Sequence, residues 1–304
     1  MQEHNQFFEN VNAQDIAKRI NSKRNKPNIN ILANLNENVQ KVTVGENPTE
    51  FIIKTSDSQH GLAGIASSKM YNDIGIYTPQ IFLLDSKNKL TTKTLQQNIS
   101  NVNGLDTILA SDDIEYIKIE RKLFGRYKWQ LFYDSDLNHE LLKFMTPDCL
   151  EQLKNMFLID EIRTDIDRHT MNYFFYRKSK SDKYEGIIAI DLDQMAIYNY
   201  CGEHKDDFQN FLMCPYRSAT PQQVTDELSY MQRIRNLREL IQDNVLSPKN
   251  LQTLVNALKH DFPADLKKLC RDKKLIGRER SKIVTPIDRL WEYNNKTIGK
   301  DLGL

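Results

Sequence analysis

The feature that most restricts the fold of this 304-residue chain is the stretch 158–193, where a helix, a charged loop and a β-hairpin follow one another directly. Thr146, Pro147 and the apolar residues Leu150, Leu153 and Phe157 supply an N-cap, a first-turn proline and helical spacing, so a helix is predicted to end near Glu161. The loop Asp165-Ile166-Asp167-Arg168-His169-Thr170-Met171-Asn172 then leads into two strand-like runs, 173–177 and 187–190, on either side of the polar turn 179–183. A hairpin centred near residue 181 or 182 sets Asn172, at the start of its first strand, beside Asp191, at the end of its second. An amide oxygen and a carboxylate then converge. Hard, oxygen-only ligands, few in number, suit Mg2+ or Mn2+ that keeps waters and completes its shell from phosphate. Asp167 overlooks the same point from the loop, where a carboxylate can accept a proton from an attacking hydroxyl. Asp193 reads either as a further metal ligand or as a solvated turn acid.

Before this stretch the chain changes character twice. Residues 1–28 suit one amphipathic helix built on Phe7, Phe8, Val11 and Ile16, an extension rather than a core element. Short β-branched runs at 30–33, 39–44 and 51–54 read as a three-stranded meander, with Lys54 on the third strand, placed to contact phosphates. A helix across 62–72 ended by Gly75, strands at 80–84 and 114–119, and a polar insertion or mobile loop at 86–111 complete this part. Beyond residue 122 helices prevail. Thr220-Pro221-Gln222-Gln223 is a capping box opening a helix to about Asp243, and Ser247-Pro248 and Thr285-Pro286 open two more. The expected fold class is α+β, with a small β-rich part at 29–122 and a mainly helical part, ending in a helical bundle, at 123–304.

Eleven glycines are too few, and none fits G-x-G-x-x-G or G-x-x-x-x-G-K-[ST], which excludes a dinucleotide fingerprint and a Walker A loop. If phosphates are covered by the turn between the first two strands, asparagines supply it, since Asn34-Leu35-Asn36-Glu37-Asn38 offers the residue that best tolerates left-handed backbone after glycine. The hydrophobic fraction of 39% excludes disorder, and no uncharged apolar run approaches the ~18 residues of a membrane span. Met1-Gln2-Glu3-His4-Asn5 lacks the basic start and apolar segment of a signal peptide, so a soluble chain is expected. Cys149, Cys201, Cys214 and Cys270 are scattered, without a C-x-x-C, pointing to neither a disulfide framework nor a zinc cluster but to a reducing compartment.

Asp167-Arg168-His169-Thr170-Met171-Asn172 resembles the D-R-H-x-x-N catalytic loop of phosphoinositide kinases and their relatives, and Ile190-Asp191-Leu192-Asp193 falls where those enzymes have I-D-F-G. The N-terminal part is similar to HipA-type kinases, with a strand lysine at Lys54, a helix, and Ile74-Gly75-Ile76-Tyr77-Thr78-Pro79 leading into a strand. The resemblance covers residues 30–200 and is specific at 160–193. It implies a bilobal protein-kinase-like fold, ATP as phosphate donor and a protein Ser/Thr hydroxyl as acceptor. Asp167 would be the base, Asn172, Asp191 and Asp193 the ligands of Mg2+ or Mn2+, and Lys54 the nucleotide-phosphate contact, with Arg168 and His169 ordering the loop. A phosphoinositide acceptor is the alternative, because D-R-H-x-x-N acts on ATP and metal alone. Some bacterial effector kinases belong to this atypical group, among them one from Legionella that is regulated by a host inositol polyphosphate. The resemblance therefore implies inositol hexakisphosphate as an activator and delivery into a host cytosol. One departure stands out. The helix acid that pairs with the strand lysine falls at about Gly64, and 62–72 contains no acid, leaving Asp57 or Asp73 as substitutes.

The net charge of +1 conceals a basic segment, Lys267, Lys268, Arg271, Lys273, Lys274, Arg278, Arg280 and Lys282, with only two acids in 267–282. It is either a solvated helix face or a site for a polyphosphate or an anionic membrane surface; without interleaved aromatics, nucleic acid is not expected. Two rival readings of the whole chain exist. The run Ile187 to Asp193 also looks like the strand-D-x-D start of haloacid-dehalogenase-type phosphatases, although Gln194-Met195 departs from their pattern and a downstream parallel sheet is needed. A kinase-like module without activity, binding a phosphate ligand or a protein, is the other.

Overall fold

Five antiparallel strands, in the order β1 (Ile29–Asn36), β2 (Val39–Val44), β3 (Asn47–Asp57), β5 (Thr91–Gln97) and β4 (Ile81–Leu84), form the N-terminal sheet. The computed structural model describes residues 13–22, 26–84, 88–99, 105–122, 127–165, 168–178, 181–195 and 230–304. Along β3 the two-residue period sorts side chains by face. Phe51 and Ile53 are buried with Val42, Val44, Leu84 and Leu95, whereas Ile52 and Lys54 face a cleft on the other side. The buried face is covered by α1 (Ala13–Asn21), through Ala13, Ile16 and Ala17. This helix is thus part of the core, not the appended extension expected; Asn21 also donates to the Leu83 carbonyl at 3.0 Å.

Two further expectations are overturned. The stretch read as an insertion contains β5 and β6 (Leu105–Leu109), and β5 escaped notice because its buried positions include Thr92 and Thr94, β-branched but polar. The supposed strand at 114–119 is a helix, α3 (Ile114–Lys122). Asp113 accepts the Tyr116 amide at 2.9 Å, and the buried Tyr116 and Ile119 are three residues apart, a helical spacing. The helix after β3 does form. α2 (Ser58–Ile74) starts where the Asp57 carboxylate accepts the His60 amide at 3.0 Å, and stops at Gly75 with φ 96°.

The C-terminal part is helical around one small sheet. α4 (Tyr127–Tyr133) and α5 (Ser135–Leu141) precede α6 (Pro147–Arg163), whose N-cap Thr146 accepts the Cys149 amide at 3.2 Å. Every residue from Met156 to Arg163 is buried, so α6 is the axis of the core. Against it lies the antiparallel sheet β6, β7 (Tyr173–Lys178), β8 (Gly186–Ala189). Then come α7 (Tyr230–Gln242), α8 (Pro248–Lys259), α9 (Phe262–Asp272) and α10 (Gly277–Asn294). Ser247 caps α8 as expected, with a capping box to Asn250. Thr285-Pro286 opens no helix; Pro286 lies inside α10. Its missing N–H frees the Lys282 carbonyl four residues back, which accepts instead from Gln59 of α2 at 3.3 Å. The capping box at Thr220, Cys201 and Cys214 lie outside the described residues. Among the described residues no helix is long and apolar enough to cross a membrane.

The chain is therefore α+β, a β-rich N-terminal part and a helical C-terminal part.

Candidate active site

The β7–β8 hairpin pairs Tyr173 with Ala189, which sets Asn172 opposite Ile190; the Ile190 amide donates to the Asn172 carbonyl at 3.0 Å. The next residue, Asp191, has φ 53°, a left-handed conformation that aspartate tolerates better than most residues and that is typical of constrained functional positions. The chain turns there, and both Asp191 and Asp193 reach Lys54. The ammonium bonds to Asp191 Oδ1 and lies 2.9 Å from Asp193 Oδ2. These residues, with Asn172, line a cleft of about 980 Å3 roofed by Leu35, Asn36, Glu37 and Asn38 and walled by Ile52, Gly61 and Gly64. That volume accommodates a nucleotide-sized ligand.

Neither substitute acid expected for Lys54 is its partner. Asp57 caps α2 and holds His60, and Asp73 pairs with Lys69 at 2.7 Å and His260 at 3.1 Å. Electrostatics in the cleft are uneven. Burial disfavours the Lys54 ammonium, but Asp193 and Asp191 outweigh it and hold the lysine above its ordinary value. Burial also pushes up Asp191, yet Lys54 overrides this and the carboxyl sits below its usual range. Asp193, buried more deeply, is pushed up by burial, and the neighbouring Asp191 charge adds to that shift.

Beneath the cleft is a buried charge network that sequence reasoning did not assemble. Arg168 donates from Nε to Asp160 Oδ2 at 3.0 Å and from Nη1 to the carbonyls of Asn172 at 2.6 Å and Ile190 at 2.8 Å. One guanidinium thereby ties α6 to both strands of the hairpin. Arg163 donates to the Leu192 carbonyl at 2.7 Å and to Asp165 at 3.3 Å, and Tyr71 of α2 bonds to Asp160. Burial opposes the Arg168 charge, but Asp160 and Asp165 more than compensate. The signal was present as acids and bases in turn, Asp160 and Arg163 at the buried end of α6 and Asp165 and Arg168 in the loop that follows it. His169 Nδ1 accepts the Met171 amide at 3.2 Å, and its other nitrogen faces the Asn172 carboxamide at 3.3 Å. Asp167 lies outside the described residues.

The roof does not use left-handed asparagines, because no residue of 34–38 has positive φ. Asn36 Oδ1 instead accepts the Asn38 amide at 2.8 Å, and Gln40 donates to Asn34 Oδ1 at 3.0 Å, bracing the turn through side chains. The basic segment divides. Lys273 is buried, and its ammonium donates to the carbonyls of Thr91 at 2.6 Å and Asn88 at 3.1 Å, so it does not belong to a surface anion site. Lys267 pairs with Asp288 at 2.8 Å; Lys268, Arg271, Lys274, Arg278 and Lys282 are exposed, and Arg280 is half-buried.

The donors around Lys54 are all oxygens, and Asp193 Oδ1 is buried without a hydrogen-bond partner. An orphaned carboxylate oxygen in a cleft that the Asp191 carboxylate and the Asn172 amide also line fits a divalent cation of the Mg2+ type. Among the described residues no group of three or more His, Cys, Asp and Glu side chains is placed to hold a metal ion by itself, so such a cation would keep waters or phosphate oxygens.

A β-sheet with a cleft-facing lysine, set over a helical part whose hairpin carries Asn172 and Asp191, defines an atypical kinase-like fold. The chain is similar in structure to the Helicobacter pylori proinflammatory kinase CtkA, with a TM-score of 0.61 and 14% identity over 91% of this chain and 96% of that one. It is also similar to Shewanella oneidensis HipA, solved with HipB and operator DNA, with a TM-score of 0.52 and 12% identity over 95% of this chain and 71% of that one. At such identities the likeness is one of fold. No protein-family model and no curated protein sequence matches the chain. The phosphatase reading requires a parallel sheet downstream of Asp191, and among the described residues no strand follows β8, itself the antiparallel partner of β7.

Proposed function

We propose that the chain is an ATP-dependent phosphotransferase that delivers the γ-phosphate to a protein Ser/Thr hydroxyl. The observation that carries this reading is the convergence in one cleft of Lys54, from the sheet, with Asn172, Asp191 and Asp193, from the hairpin. In this reading Asp191 and Asn172, with Asp193, hold Mg2+ or Mn2+, which when bound neutralises charge on the transferring phosphate. Lys54 gives up its contact with Asp191 to engage nucleotide phosphates, and Asp167 takes the proton of the acceptor hydroxyl. Arg168 fixes the loop through the backbone of Asn172 and Ile190, and His169 orients the Asn172 amide. The likeness to a protein described as a kinase supports the reaction class.

Incubation with γ-labelled ATP and Mg2+ or Mn2+ tests it, with protein acceptors in one arm and phosphoinositide vesicles in another. Labelled protein, lost by about a hundredfold or more in Asp167→Ala, is the expected result. Labelled lipid alone would move the assignment to a phosphoinositide kinase. Nucleotide binding without any transfer would make the chain a binding module. Inositol hexakisphosphate is the proposed activator, with Lys268, Arg271, Lys274, Arg278 and Lys282 as its exposed contacts. It is expected to raise the melting temperature, and charge reversal at Lys268 and Arg271 to abolish the shift; an unchanged shift would exclude this surface.

A further inference from the structure

The strand lysine of this cleft has no partner acid on the helix beside it, whose Asp73 pairs with Lys69 instead, yet it is held, and what holds it comes from the far side of the cleft. A Cβ added to Gly64 would lie 3.2 Å from the Cβ of Asp193 and 3.7 Å from its Cα, so the space a side chain on α2 would need is filled by Asp193 itself. Asp193 is fixed from both sides. Its backbone follows Leu192, whose carbonyl is bound by Arg163 at 2.7 Å, and its side chain is 8% exposed against 37% for Asp191. The more exposed Asp191 is the carboxylate a hydrated cation can reach. Once it does, Asp191 can no longer hold a flexible four-carbon ammonium in one place, and the remaining partner, at 2.9 Å, is Asp193.

We infer that Asp193 is the positioning residue for Lys54, taking over from across the cleft the role of a helix acid, and that position 64 is glycine because Asp193 occupies its space. This deepens the proposed function and rests on it. Positions 64 and 193 then form an exchangeable pair, in which one carries the acid and the other must be small. Asp193 acts through Lys54, not on the transferred phosphate.

The test is equilibrium binding of Mg2+ with a non-hydrolysable ATP analogue, with a melting curve on every variant. Asp193→Gly is expected to weaken binding by about tenfold or more, the usual loss when a charged hydrogen bond is removed. Gly64→Glu alone is also expected to weaken it, since glutamate and Asp193 compete for one space. The combination Gly64→Glu with Asp193→Gly is expected to recover most of the affinity, and Gly64→Gln with Asp193→Gly to stay weak. A folded Gly64→Glu, Asp193→Gly protein without recovery would overturn the inference. Should Gly64→Glu prevent folding, the near-isosteric Asp193→Asn decides: weakened binding with an intact melt supports it, and wild-type affinity refutes it. Wild-type protein that binds no nucleotide would remove the kinase reading as well, whereas failure of the exchange in a protein that binds normally removes only the role of Asp193.

Discussion

Arg168 reaches acceptors in three segments, the Asp160 carboxylate on α6 and the carbonyls that begin and end the hairpin, at Asn172 and Ile190. A guanidinium shielded from bulk solvent must have its N–H donors met by buried partners, here a carboxylate and two carbonyls. Removing one member of such a network leaves an uncompensated charge. Asp160→Asn is expected to cost about 3–5 kcal/mol in urea unfolding and to displace the Asn172 and Asp191 backbone together. Gly61 illustrates a different constraint, that of space. A Cβ there would lie 2.7 Å from both Ser56 Oγ and Thr92 Cβ, so Gly61→Ala is expected to destabilise by about 1–3 kcal/mol through overpacking, measured as a shift in urea midpoint at constant slope. At this scale the sequence was legible where chemistry is local. Asn172 and Asp191 were placed side by side by hairpin arithmetic, but the partners of Lys54 lie 137 and 139 residues away, and no periodicity reports a contact of that range.

Among the elements, α2 is held by the sheet on one side and by α8 and α9 on the other. Lys69 bridges Asp73 and Asp265, at 2.7 and 3.0 Å, and His260 adds a contact to Asp73 at 3.1 Å. Burial pushes the Asp73 carboxyl up, but Lys69 and His260 outweigh it and hold the group below its ordinary 3.8. A carboxylate lowered in the folded state contributes stability that is present above 3.8 and lost as pH falls through the folded value. Asp73→Asn is therefore expected to melt below wild type at neutral pH, by no more than about 1 kcal/mol because the pair is half exposed, and the gap to close as pH drops below 3.8. The elements themselves were read best where a cap accompanied the period, as at Thr146 and Ser247. They were misread where polarity and period disagreed: the threonines of β5 look like a loop, the isoleucines of α3 like a strand, and Pro286 like a start. In the last case the lost hydrogen bond is replaced by Gln59, a neighbour that only the folded chain supplies.

For the molecule as a whole, sheet and helical part are tied together, among other contacts, by the Lys54 cluster in the cleft and by Lys273. Lys273 donates to the carbonyls of Asn88 and Thr91 next to β5, so the turn after α9 grips the sheet directly. Lys273→Met keeps the aliphatic stem but leaves two carbonyls without this donor. It is expected to lower stability by about 1–3 kcal/mol in thermal melts without altering the chemistry of the cleft. That a β-rich part precedes a helical one was legible from the shift of β-branched runs to helical spacing, but the boundary expected near residue 122 falls too late, since β6 and α3 already join the C-terminal sheet and core, and the grip between the parts was hidden in a charge run that looked like surface. The central claim is that the cleft around Lys54 and Asp191 takes a metal-bound nucleotide, and melting in the presence of Mg2+ and a non-hydrolysable ATP analogue tests it most directly. At a ligand concentration about a hundred times the dissociation constant, the wild-type protein should gain about 2.7 kcal/mol, a shift of several degrees. The shift is expected to vanish in Lys54→Met and in Asp191→Asn; the same shift in all three proteins, or none in the wild type, would contradict the claim.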